Sequence, residues 1–397
     1  MSDISQKVEQ IIREHNLHLC LECGKCSASC PRMLSGKQYS PRLLAQKIIA
    51  SPEDEGYIES AVWECLTCGL CEERCPSGVR FVDFILRLRS LLAAVKGLKG
   101  YRAHDGAVHS WMRIMTAPGL KQNRLEWLTP DLRTTQEGPV AFFVGCAPYF
   151  DVFFSGIGVQ TLAFARDGLR LMNRLGVDPV VLAEERCCGH DLLWTGDSAN
   201  FAELSRLNYQ AFRQAGVKEI VTACPECFQV WERFVPEVVE GFDLKVTLLL
   251  DFVERGMKTS GLRFSPLKTR VTYQDPCRLA RMADRVEGPR RLMGMIEGLT
   301  LKEMDNSGRS ALCCGNSSFI NCDAYSKRIQ LERLDEARRT KAELLLTACP
   351  KCHIHLACAL RDPHTLGQPG IELRPLPSLL AERLPAGPEG DPGDNAR

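Results

Sequence analysis

No run of about 18 uncharged apolar residues occurs in this 397-residue chain, so a membrane-spanning helix of ordinary length is not expected. The opening "MSDISQKVEQIIREHNLHLC" is charged and amphipathic and lacks the apolar core of a signal peptide. Charge of one sign is not in excess either: 50 basic residues face 49 acidic ones, with eight histidines, which argues against nucleic acid or an anionic membrane as partner. No serine–histidine or paired-carboxylate signature points to acid–base catalysis. The segment "SGIGVQT" falls short of a GxGxxG, so flavin and nicotinamide are expected on a partner. We therefore expect a cytoplasmic protein with no transmembrane segment of its own, attached to a membrane only if a partner subunit provides the contact. At 45% hydrophobic residues the chain can bury two or three ordinary cores.

Against these absences stand twenty cysteines. In a reducing compartment so many thiols are not expected as disulfides, and metal is the economical explanation. Residues 20 to 31 read "CLECGKCSASCP" and residues 65 to 76 read "CLTCGLCEERCP", each a CxxCxxCxxxCP run. This spacing resembles the two-cluster ferredoxin run, in which three thiolates hold one cubane and the fourth, before proline, ligates the other. The resemblance implies Cys20, Cys23, Cys26 and Cys75 around one 4Fe-4S cubane, and Cys65, Cys68, Cys71 and Cys30 around a second. Loops loosened by Gly24 and Gly69 let three thiolates point at three corners of a cube while backbone N–H groups face the sulfides. Paired zinc sites are the bland alternative, but they do not need third and fourth cysteines at fixed offsets in both copies.

The 34 residues between Cys30 and Cys65 carry apolar positions at helical spacing: Leu43, Leu44 and Ile48, then Ile58, Val62 and Trp63. This resembles the helical ferredoxin domain of respiratory iron–sulfur subunits rather than a compact bacterial ferredoxin. A helix expected over residues 79 to 96 carries Arg80, Arg87, Arg89 and Lys96, read either as a docking surface or as the solvated edge of a packed helix. Residues 101 to 138 are turn-rich and read as a linker or strap.

The second half repeats itself. Copy one runs from strand "VAFFVGC" at Cys146 through a helix and strand "DPVVLAE" to Cys187, Cys188 and Gly189. A second helix, strand "KEIVTA" and "CPEC" with Cys224 and Cys227 follow. Copy two runs from "RVTYQDPC" at Cys277 to Cys313, Cys314 and Gly315, then through a helix and "ELLLTA" to "CPKC" with Cys349 and Cys352. The intervals match closely, 40 and 35 residues in the first copy against 35 and 34 in the second. Strands that each deliver a cysteine at their C-terminal end imply parallel sheets with ligand sites at the strand ends.

The duplicated frame, a lone cysteine, then CCG, then CxxC, resembles the CCG domain of the heterodisulfide reductase family. The whole layout is similar to that enzyme's fused catalytic subunit and to the anaerobic glycerol-3-phosphate dehydrogenase iron–sulfur subunit. The resemblance implies an α-helical ferredoxin domain at 1–100, a linker at 101–138, and α/β CCG domains with small parallel sheets at 139–260 and 261–385. The tail at 386–397 is expected to be disordered, and "PHTLGQPG" to be a loop.

It further implies a noncubane four-iron cluster held by Cys146, Cys187, Cys188, Cys224 and Cys227, and a second held by Cys277, Cys313, Cys314, Cys349 and Cys352. Five ligands for four irons imply one bridging sulfur, which adjacent cysteines allow. Gly189 and Gly315 are expected where backbone lies against a cluster. Zinc in one CCG domain is the lesser alternative. His190 and Asn316, each directly after a CCG, are the candidate catalytic neighbours, although His190 also reads as a plain structural donor. Cys322 and Cys358 fall outside both frames and are expected to be buried free thiols.

The implied function is that of an iron–sulfur subunit of an anaerobic redox complex. It would pass electrons through two cubanes to a noncubane pair that reduces or forms a disulfide or thiol substrate. The alternative is a pure electron-transfer subunit linking a flavin-bearing partner to a quinone or low-potential acceptor.

Overall fold

The computed structural model describes residues 3–97, 100, 102–362 and 370–385. The expected tail at 386–397, and all of the expected loop at 363–370 but its last residue, lie outside the described residues. The N-terminal region is helical. Helices Asp3–Glu14, Pro41–Ala50, Glu55–Ala61 and Phe81–Lys96 enclose a core of Val8, Ile11, Leu44, Ile48, Phe84 and Leu88. Their apolar positions recur every three to four residues, which gives each helix one face to bury. The Ser40 hydroxyl accepts from Leu43 N at 3.2 Å and Pro41 occupies the first helical turn, together starting the helix of the insert.

The second half holds two parallel sheets. The first is built from β1 (Val140–Phe143), β2 (Glu219–Thr222) and β3 (Lys245–Leu248), in that order. The second comprises β4 (Thr269–Gln274), β5 (Leu299–Leu301), β6 (Leu344–Thr347) and β7 (Glu372–Pro375), ordered β5-β4-β6-β7. The sheets are copies of one plan. Where the second has β5, the first has "DPVVLAE" reduced to bridges at Val180, beside Thr135 and Ala141. The expected strand there shrinks because Pro179 limits the pairing that segment can make. The interior strand β6, "LLLT", is buried along its whole length, as expected of a parallel strand covered on both faces.

Residues 101 to 138 are more than a connector. They contain helix Ala107–Ile114, which buries Val108, His109 and Met112 in the core of the first repeat. The basic helix Phe81–Lys96 docks inside the chain. Arg87 pairs with Glu237 at 3.0 Å, and Asp83 pairs with Arg233 at 2.7 Å. Arg89 does not lie on a solvated edge: it is fully buried and donates to the carbonyls of Val62, Cys65 and Trp194.

Candidate metal centres

In the first repeat, Cys146 follows β1, Cys187 and Cys188 follow the Val180 segment, and Cys224 follows β2. Cys227 sits in the first turn of helix Pro225–Gln229. All five line one enclosed pocket. Cys188 and Cys227 bring their sulfurs to 3.4 Å, and the Cys146 and Cys187 thiols are in hydrogen-bonding reach. Gly189 N donates to Cys187 Sγ at 3.3 Å. The strap completes the wall: Met112 lines the pocket, and Cys187 N donates to Met115 Sδ at 3.4 Å. Buried Arg124, also on the strap, bonds the Glu185 carboxylate at 2.6 Å and the Gly145 carbonyl at 2.9 Å, clamping two cysteine loops together.

The second repeat repeats the placement. Cys277 follows β4, Cys313 and Cys314 follow β5, and Cys349 follows β6. Cys277 reaches Cys313, and Cys314 reaches Cys352. Its surroundings differ. Leu66, Cys68 and Leu70 of the second ferredoxin run pack against this frame, and the Cys68 thiol is in hydrogen-bonding reach of Cys313. That bond, together with the nearby guanidinium groups of Arg281 and Arg278, draws the Cys68 thiol down to about 6 despite its burial.

Gly189 and Gly315 have φ of +77° and +87°, where side chains are strained. A Cβ on Gly189 would meet Phe201 at 3.0 Å, and one on Gly315 the Ser326 carbonyl at 2.7 Å. These glycines therefore also let helices Ser198–Gln214 and Ala324–Arg339 approach the two CCG turns.

The two CxxC turns face each other across an approximate twofold arrangement. Cys224 and Cys349 occupy equivalent positions and are in hydrogen-bonding reach of one another. Their neighbours Glu226 and Lys351, also equivalent, form a buried ion pair at 2.7 Å. Lys351 Nζ also contacts Asp191 and lies 3.4 Å from His190 Nδ1. Donor atoms of His190, Asp191 and Glu226 are close enough to share a cation, and the Lys351 ammonium occupies that position. Burial opposes the Lys351 charge, but the Asp191 and Glu226 carboxylates outweigh it and hold the ammonium protonated. Burial, reinforced by Lys351, pushes His190 down to about 3, so its imidazole is neutral.

In the ferredoxin region, Cys30, Cys65, Cys68 and Cys71 line one pocket, with Cys30 crossing over from the first run. Burial pushes the Cys30 thiol up to about 12, reinforced by Cys68 and Cys65. The other set is more open: Cys23 is exposed and Cys20, Cys26 and Cys75 are half-buried. Cys20 and Cys23 are near enough to act on Cys26. Helices Lys25–Ala28 and Leu70–Glu73 pack on each other and bring the two runs together. Val79 N donates to Cys75 Sγ at 3.4 Å, and Thr67 N to Cys65 Sγ at 3.2 Å.

All of these thiols are free. Nε2 of His190 and both side-chain amide atoms of Asn316 are buried without a hydrogen-bond partner among the described residues. Thiol-only ligand sets, backbone donors aimed at sulfur and orphaned polar atoms beside both CCG turns fit iron–sulfur clusters. Cys322 is exposed, against the expectation of burial, because its loop reaches the surface; Cys358 is half-buried and accepts from Lys327 at 3.3 Å. Sequence reasoning missed Arg124, Arg278, Arg281 and Lys351. A readable signal existed only for the last: "CPEC" and "CPKC" place opposite charges at equivalent positions.

The "Cysteine-rich domain" model matches residues 140–230 and 271–357, and the "4Fe-4S dicluster domain" model matches residues 16–79. These define an iron–sulfur protein with a helical dicluster domain and two Cysteine-rich domains. A subunit of the dihydromethanophenazine:CoB–CoM heterodisulfide reductase of Methanosarcina barkeri is 28% identical, over 93% of this chain and 94% of the relative. A subunit of the fumarate reductase (CoM/CoB) of Methanothermobacter marburgensis is 25% identical, over 86% of this chain and 68% of the relative. A protein of Chromohalobacter salexigens named "Probable membrane-anchored ferredoxin" is 26% identical, over 84% of this chain and 55% of the relative. The chain is an iron–sulfur oxidoreductase subunit that resembles, over nearly its whole length, the heterodisulfide reductase subunit from Methanosarcina. Among the described residues no helix is long and apolar enough to cross a membrane.

Proposed function

We propose that this chain carries electrons through two cubanes, held by Cys20, Cys23, Cys26 and Cys75 and by Cys30, Cys65, Cys68 and Cys71, to noncubane clusters in the two CCG frames. There a disulfide is reduced, or formed, as in heterodisulfide reductase. Clusters bound at these thiols would supply single electrons and iron sites for a substrate sulfur. The contacts support an order. Cys68 touches Cys313 of the second repeat, and Cys349 of that repeat faces Cys224 of the first. The first frame is then the far end of the path.

The observation that carries this reading is the pocket on that frame, which brings five thiols, neutral His190 and the Lys351–Asp191–Glu226 group together. Disulfide cleavage takes two electrons and two protons to give two thiols. The buried Lys351 ammonium lies where negative charge would develop on a departing sulfur. We assign His190 and Asn316 to the walls beside the two frames. Other subunits, one of them flavin-bearing, would feed the path. The second reading, an electron-transfer subunit without its own substrate, is favoured by the relative named as a ferredoxin.

The test is iron counting and paramagnetic resonance on protein prepared without oxygen. About sixteen irons per chain, as four four-iron clusters require, and a signal that appears on adding thiol substrate support the catalytic reading. About eight irons with bound zinc sinks it. Sixteen irons without a substrate-dependent signal favours the electron-transfer reading.

A further inference from the structure

Three buried arginines converge on the Cys65–Cys68 loop. Arg89 donates to the Cys65 carbonyl at 2.7 Å, Arg278 to the Thr67 carbonyl at 3.0 Å and to its hydroxyl at 2.8 Å, and Arg281 to the Cys68 carbonyl at 2.7 Å. None of the three is more than 9% exposed. Their hydrogen bonds go to carbonyl and hydroxyl oxygens, and among the described residues none forms an ion pair with a carboxylate. One guanidinium nitrogen of Arg281 has no hydrogen-bond partner among the described residues. The Trp63 ring beside Arg89 and the Trp194 ring beside Arg278 offset the charge only in part. Buried cations without a directly paired carboxylate are costly, and a negatively charged group bound at these thiols would offset that cost.

Arg32 is the control. It lines the pocket of Cys30, Cys65, Cys68 and Cys71 and is fully buried, yet it is neutralised by Asp323, at 2.8 and 2.9 Å, and by Glu64. Around Cys20, Cys23 and Cys26 no buried unpaired arginine occurs among the described residues, and that set is open to water.

We propose that Arg89, Arg278 and Arg281 are positioning residues that hold an electron preferentially at the Cys30, Cys65, Cys68 and Cys71 set, so that electrons pass inward from the exposed set. In that step one electron leaves the outer set, which is oxidised, and arrives at the inner set, which is reduced; no bond or proton changes place. The inference rests on the cluster reading above.

The test is a redox titration of the anaerobically prepared full chain, followed by paramagnetic resonance with iron counted alongside. In the unaltered protein the first cubane signal to appear on reduction should be insensitive to a water-soluble paramagnetic chelate, because it arises at the buried set. The later one should be broadened by the chelate. Arg281→Gln should shift the reduction equilibrium of the inner signal about tenfold toward the oxidised form, about 59 mV for one electron, and leave the outer signal unmoved. Arg281→Lys should restore most of the shift. A first-reduced signal that the chelate broadens, or inner and outer signals that move together in Arg281→Gln at full iron content, would overturn the proposal. Absence of iron from the unaltered protein would instead overturn the cluster reading beneath it.

Discussion

The two Cysteine-rich repeats share a frame and differ in what surrounds it. The first faces an enclosed pocket with Lys351, Asp191, Glu226 and His190 in its wall, roofed by the strap helix Ala107–Ile114. The second is packed against Leu66, Cys68 and Leu70 of the ferredoxin region. Duplication preserved the cysteines while the neighbours diverged. Under the proposed function one copy serves electron entry and the other the substrate, a division that neither copy's thiols express on their own.

The sharpest way to break this comparison is to remove one thiol from each frame. Under the proposed function Cys188→Ser and Cys314→Ser each lower the iron content by about four per chain. They differ in consequence: with Cys188→Ser the second repeat is still reduced through the ferredoxin region, whereas with Cys314→Ser the first repeat loses its supply. Paramagnetic resonance during reduction distinguishes them, and identical behaviour would erase the assigned order.

A smaller effect is expected at the junction between the repeats. Lys351→Met leaves Asp191 and Glu226 buried without their cation and should cost about 3–5 kcal/mol in denaturant unfolding. Lys351→Glu, which makes both turns "CPEC", should cost more. A loss below about 1 kcal/mol would mean that the pair is solvated and the twofold contact loose.

The smallest effect belongs to the surface between the repeats. Glu254 bonds Arg291 at 2.7 and 2.8 Å, and the Arg291 hydrogen bond holds the Glu254 carboxyl down to about 2. Its folded value lies below the unfolded value of about 4.3, so the contribution is present above that pH and is lost as pH falls toward 2. Arg291 is half exposed, so Glu254→Gln should cost less than about 1 kcal/mol at neutral pH. The cost should vanish in acid, as a pH series of unfolding curves would record.

Much of the site was legible because ligand spacing is local. The CxxC turns, each opened by a proline at a helix start, can be read from four residues. The duplicated strand–helix order made parallel sheets evident, although "DPVVLAE" shrank to bridges beside β1. Helical periodicity also located Phe81–Lys96 but misassigned Arg89, because the pattern cannot tell a solvated guanidinium from one whose carbonyl partners lie on other segments. The strap was underread for a similar reason: Met112, Met115 and Arg124 acquire meaning only against the first frame.

By itself the sequence determined which thiols come in sets and which kind of element carries each, since these follow from spacings of two to four residues and from periodicity. Only the tertiary structure decided that the two CxxC turns meet, that Lys351 of the second repeat serves the pocket of the first, and that three arginines close on the Cys65–Cys68 loop. The physical reason is that a buried charge finds its partners wherever packing leaves carbonyls and carboxylates facing it, here across as many as 291 residues of chain between Arg32 and Asp323.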